Sequence, residues 1–94
     1  MSVWCFIETF NRLVLSLNED GEIVLGERVE DDNKLWRFDE DGLLHSKMGS
    51  VVDIPDSNED AGVKVVGFHD KHGGDNQRFT FLSFFTLLYF FFHF

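Results

Sequence analysis

Apolar residues come along this chain in short bursts rather than long stripes. Leu13–Leu17, Ile23–Leu25, Val51–Val52 and Val63–Val66 are aliphatic or β-branched runs. Polar, glycine-bearing turns punctuate them: Asn18–Gly21, Asp39–Gly42 and His72–Asp75. Short β-prone runs closed by such turns predict strands and hairpins. No stretch before residue 81 sustains the i, i+3, i+4 spacing of an amphipathic helix. The pattern therefore predicts an all-β body.

The bursts recur. Cys5–Leu17 lies on Gly42–Ile54 at an offset of 37, pairing Phe6 with Leu43, Ile7 with Leu44, Thr9 with Ser46, Val14 with Val51 and Leu17 with Ile54. Asp32–Phe38 lies on Asp75–Phe81 at an offset of 43. The extra residues fall in the turn-rich stretch Pro55–Gly62, where insertions are tolerated. A period near 40 is the mark of a repeat architecture. Repeat one runs over about 5–41 and repeat two over about 42–81, together one domain at 1–81.

The character of the chain changes after Phe81. Residues 82–94 carry no Asp, Glu, Lys or Arg and hold many of the twelve phenylalanines. A membrane span needs about 20 apolar residues, and this tail is shorter. Two readings of it stand side by side: a hydrophobic strand that plugs an open fold, or non-native sequence appended where a third repeat ended. If exposed, it favours aggregation.

Charge narrows the partners. Seventeen acidic residues against eight basic ones give a formal charge of −9. Such a chain repels phosphate backbones and anionic membrane surfaces, so neither nucleic acid nor membrane is expected as a partner. Cys5 is the single cysteine, which rules out an intrachain disulfide and reads as a small buried hydrophobe. The N-terminal residues show no basic segment followed by an apolar core, so no signal peptide is expected. A reducing, cytoplasmic setting follows, with an extracellular one left open.

An aliphatic strand of the form Leu-Val-Leu or Val-Val-Asp-Ile, a second strand of the form Ile-Val-Leu or Val-Val-Gly-Phe, and then Asp-Asn before an aromatic together resemble the ricin B-type lectin repeat. That repeat closes on a Gln-x-Trp triplet. Here the triplet stands as Lys34-Leu35-Trp36 and as Gln77-Arg78-Phe79, each one residue away from the signature. The resemblance covers residues 5–81. It implies a β-trefoil, incomplete at about two of its three repeats, that binds sugars, often galactose-type, without catalysis.

It also implies a site in repeat two. Asp53 stands where the family places its sugar-binding acid, Phe68 near the aromatic position, and Asn76 and Gln77 at the amide positions. His69 substitutes for Phe68 if the alignment slips by one, and His72 reaches the same mouth. The chemistry suits these types. A carboxylate accepts hydrogen bonds from sugar hydroxyls, an aromatic face covers the apolar C–H side, and amides fix orientation. In repeat one Ser16 replaces the acid and Leu25 the aromatic, leaving Asn33 and a structural role.

Plainer readings are open beside these. Asp53 near Pro55 can initiate a turn, Phe68 can face the core, and Asn76 with Gln77 can brace a loop. Trp36 and Phe79 are expected in the core. His69 and His72 lack a third partner at metal-ligand spacing, so no metal or cofactor is expected. No nucleophile–base arrangement or phosphate loop is present, so an enzyme is not expected. Two alternatives to a lectin-like module remain: a β-trefoil scaffold for a protein partner, or a fragment of a larger toxin or glycosidase. Self-association through the open side of the fold is a further expectation.

Overall fold

The structure, a computed structural model, describes residues 3–81; the tail and its two readings lie outside the described residues. Among the described residues six strands form two antiparallel sheets. β1 (Leu13–Leu17) pairs with β2 (Ile23–Glu27) as a hairpin. β3 (Trp36–Phe38), β4 (Leu44–Ser46), β5 (Val51–Asp53) and β6 (Val66–Phe68) form a four-stranded meander. Helical structure among the described residues is confined to three-residue 3₁₀ turns at Asp32–Lys34, Pro55–Ser57 and Asp75–Gln77. The fold is all-β.

Two turns show how local sequence sets this pattern. In the β1–β2 turn the Asn18 Oδ1 accepts from the Asp20 and Glu22 amides, both at 2.9 Å. In the β3–β4 turn the Asp39 Oδ1 accepts from the Asp41 and Leu43 amides, at 2.9 and 3.0 Å. Each is an Asx-closed turn, and each ends on a glycine in the left-handed region, Gly21 at φ 80° and Gly42 at φ 90°.

The internal repetition extends to the hydrogen bonds. Trp36 N–H donates to the Cys5 carbonyl at 2.9 Å, and Phe79 N–H donates to the Gly42 carbonyl at 2.8 Å. Arg12 N–H donates to Thr9 and Gly49 N–H to Ser46, both at 3.0 Å. Arg12 and Gly49 both have positive φ. These pairs follow the same two offsets, 37 and 43, that align the sequence.

Leu17, Trp36 and Val52 form the core, with Ile7, Leu15, Ile23, Leu44 and Phe79 packed against it. Trp36 is 0% exposed, and its indole N–H donates to the Leu15 carbonyl at 3.0 Å. A buried indole needs that partner. Gly67, opposite Val52 across β5 and β6, leaves room for Leu17, whose Cδ1 lies 2.5 Å from where a Cβ would stand. The hairpin joins the meander there too: Gly67 N–H donates to the Gly21 carbonyl at 2.9 Å.

One expected strand is narrowed. Val63–Val66 and Val65–Phe68 both read as extended, and the paired segment is Val66–Phe68. Val51, Val52 and Asp53 select their partners as Phe68, Gly67 and Val66. Only a residue without a side chain fits against Leu17, so Gly67 fixes the register, and β-propensity at 63–65 does not override it.

Candidate functional site

β5 delivers Asp53 to the sheet face that also carries Val51, Val66 and Phe68, because opposite residues of an antiparallel pair share a face. The other face, with Val52 and Gly67, meets the core. Phe68 is 36% exposed and its ring lies against His69, with centroids 5.0 Å apart. It is a surface aromatic rather than a core one. It stands two residues along the sheet from the level of Asp53, about 7 Å.

Asp53 is only 5% exposed. Its Oδ2 accepts from Gln77 Nε2 at 2.9 Å and from Asn76 Nδ2 at 3.3 Å. His72 Nε2 stands 3.9 Å from the same oxygen. Oδ1 has no partner among the described residues, and no buried side-chain N or O atom among them lacks one. The turn-initiating reading of Asp53 fails, because its partners are side-chain amides and not the amides of the following backbone.

Gln77 is wholly enclosed, at 0% exposure. Its Nε2 donates to Asp53 and, at 3.0 Å, to the Asp70 carbonyl. Its Oε1 accepts from the His72 and Gly73 amides, both at 3.0 Å. Two donors and two acceptor sites are thus all occupied. This corrects the expectation that Gln77 touches a ligand. It holds Asp53 and the 70–73 loop in one piece, and a saturated buried amide has nothing left to offer. Asn76 spends both amide hydrogens on Asp53 and the Ile54 carbonyl, the latter at 3.2 Å. Its carbonyl oxygen remains.

His72 belongs to the same cluster. Its Nδ1 accepts from the Gly74 amide at 3.0 Å, and its side chain is partly exposed. Sequence reasoning passed over Gly74. A Cβ there would lie 2.9 Å from the His72 ring, so the paired glycines after His72 were the available signal.

Repeat one keeps the scaffold without the acid. Asn33 Nδ2 donates to Ser16 Oγ at 3.1 Å and to the Leu17 carbonyl at 3.2 Å, the counterparts of Asp53 and Ile54. A groove of about 670 Å³ also lies on that side, between the 18–21 turn, Asp32, Asn33, Met48 and Ser50. It is open and does not include Asp53. Among the described residues no group of three or more His, Cys, Asp or Glu could hold a metal ion. No helix among them is long and apolar enough to cross a membrane.

No protein-family model matches the chain, and no curated protein matches it. Among solved structures it is similar to the crystal structure of the designed three-fold symmetric protein ThreeFoil. The TM-score is 0.65 at 22% identity, covering 77% of this chain and 58% of that one. The likeness shows the fold: an all-β, trefoil-like chain that spans less than two thirds of its neighbour's length.

Proposed function

We propose that this chain is a non-catalytic carbohydrate-binding module of the ricin B type, with one site centred on Asp53 in the second repeat. The observation that carries the reading is the way Asp53 is held. Two amides from the 3₁₀ turn at Asp75–Gln77 fix one carboxylate oxygen, and the other accepts from no group among the described residues. A fixed acceptor loses little freedom on binding, and preorganisation is what makes a shallow polar site useful. Phe68, on the same face, supplies a surface for the apolar side of a sugar. Galactose-type glycans are the favoured ligands.

Titration of the methyl glycosides of galactose, glucose and mannose against the full chain tests this. Binding by wild type and its loss in Asp53→Asn support the reading. Equal binding by both, or binding by neither, overturns it.

A second reading has its own observation. Phe10, Leu25 and Val29 of repeat one and Met48 in the β4–β5 turn are exposed. Apolar side chains displayed this way suit a protein partner or a second copy of the chain. On that reading the trefoil is a scaffold, and glycans leave its spectrum unchanged.

A further inference from the structure

The bond from the Gly74 amide to His72 Nδ1 has a chemical consequence for the Asp53 site. A nitrogen that accepts carries no hydrogen, so the neutral His72 ring holds its proton on Nε2. That N–H is the end nearest Asp53 Oδ2, at 3.9 Å. The gap is too long for a direct hydrogen bond. An oxygen set to the side of this gap, not between the two atoms, can accept from Nε2–H. With Oδ2 already accepting from Gln77 and Asn76, such a group donates to the carboxylate through Oδ1.

From this we infer that His72 is a specificity-determining donor: with Asp53 it selects a hydroxyl over an ammonium or a carboxylate, and acid disarms it. The inference rests on the sugar-binding reading of the Asp53 site. An ammonium only donates and a carboxylate only accepts, whereas a sugar hydroxyl does both. Acid disarms the ring by a clash of donors. In the imidazolium both nitrogens carry hydrogen, so Nδ1–H meets the Gly74 N–H and their bond is lost. The freed, charged ring then closes on Asp53 and occupies the place of the ligand. The charged groups around it are Asp53 from β5, Asp70 and Lys71 in its own loop, and Asp41 and Arg78 lining the neighbouring depression.

Gly74 provides a second handle. Its backbone, at φ −69° and ψ 170°, suits any residue, yet a Cβ would press on the His72 ring at 2.9 Å. Gly74→Ala therefore displaces the ring with little demand on the backbone.

The experiment has two arms on the full chain. Long-range ¹H–¹⁵N spectra report the His72 tautomer without any ligand. Titrations with methyl galactoside, methyl glucoside and methyl mannoside from pH 8 to pH 5 report binding by wild type, His72→Phe and Gly74→Ala. The expected result is an Nε2–H tautomer, wild-type binding that weakens with acid, and variants about three- to tenfold weaker at pH 8 with a flat pH profile. An Nδ1–H tautomer overturns the inference, as does a variant that keeps wild-type affinity and pH dependence. Absence of wild-type binding to every glycoside at every pH overturns the sugar reading itself, and this inference with it.

Discussion

Asn33 and Asn76, 43 positions apart, make the same two hydrogen bonds in their respective repeats. Each side-chain amide donates to a side chain two strands back, Ser16 on β1 or Asp53 on β5, and to the next carbonyl along, Leu17 or Ile54. This asparagine bracket is shared, and the group it holds differs. Asp53, with Phe68, His72 and Gln77, has no chemical counterpart in repeat one.

Truncating either asparagine should therefore cost similar stability. Asn33→Ala and Asn76→Ala each remove two part-buried bonds, about 1–2 kcal/mol. Denaturant melts should show comparable losses, with sugar affinity falling only in Asn76→Ala. A large stability difference between the two would break the equivalence of the repeats.

Gly67→Ala should destabilise by about 1–3 kcal/mol through overpacking, since the new methyl would enter the space of the buried Leu17 Cδ1. Ala at the neighbouring exposed Val65 should be nearly neutral. Urea midpoints for the two variants check this, and equal midpoints would contradict the close approach of hairpin and meander.

The β3–β4 turn should make the fold acid-sensitive. Partial burial pushes the Asp39 carboxyl up. The His45 hydrogen bond at 2.7 Å, the Leu43 and Asp41 amides and the His45 charge outweigh it, and lower the group from 3.8 to about 2. A carboxyl lowered on folding contributes stability above its unfolded value and loses it as pH falls toward its folded one. Asp39's contribution should disappear between about pH 5 and pH 2. Denaturation at pH 5 and at pH 2.5 should show a smaller loss in Asp39→Asn than in wild type.

Much of this architecture was readable in the sequence. Leu13–Leu17 and Ile23–Leu25 are long enough for aliphatic runs to identify β1 and β2, and the Asx-to-Gly turns are local chemistry. The strand at Val66–Phe68 was legible as Val-Val-Gly-Phe but not its bounds, because a three-residue strand is defined by what it packs on, here Leu17 against Gly67. At the site, the sequence brought Asp53, Phe68, His72, Asn76 and Gln77 into one neighbourhood but assigned Gln77 a ligand contact. Its enclosure depends on the 70–73 loop folding over it, which residue types alone do not disclose.

The role of Gln77 as a support has its own expected outcome. Gln77→Leu should leave Asp53 Oδ2 without its shortest bond and release the 70–73 loop. Stability should drop by about 1–3 kcal/mol, and binding should fall although Gln77 never meets the ligand. Amide exchange at His72 and Gly73 should accelerate in the same variant. Unchanged exchange would show that the loop is moored elsewhere.

Asp53→Asn tests the central claim most directly. Asp53→Ala would strand the Gln77 Nε2–H in the interior, mixing a folding defect with a binding one. Asparagine keeps an oxygen for Gln77 and replaces the second carboxylate acceptor with an amide donor. Titration of the full chain with methyl galactoside, followed by ¹H–¹⁵N spectra, should show saturable shifts around Asp53, Phe68 and Asn76 in wild type. In Asp53→Asn those shifts should be absent from an otherwise native spectrum. Identical titration curves for the two proteins, or a wild-type spectrum unmoved by the glycoside, would contradict the account.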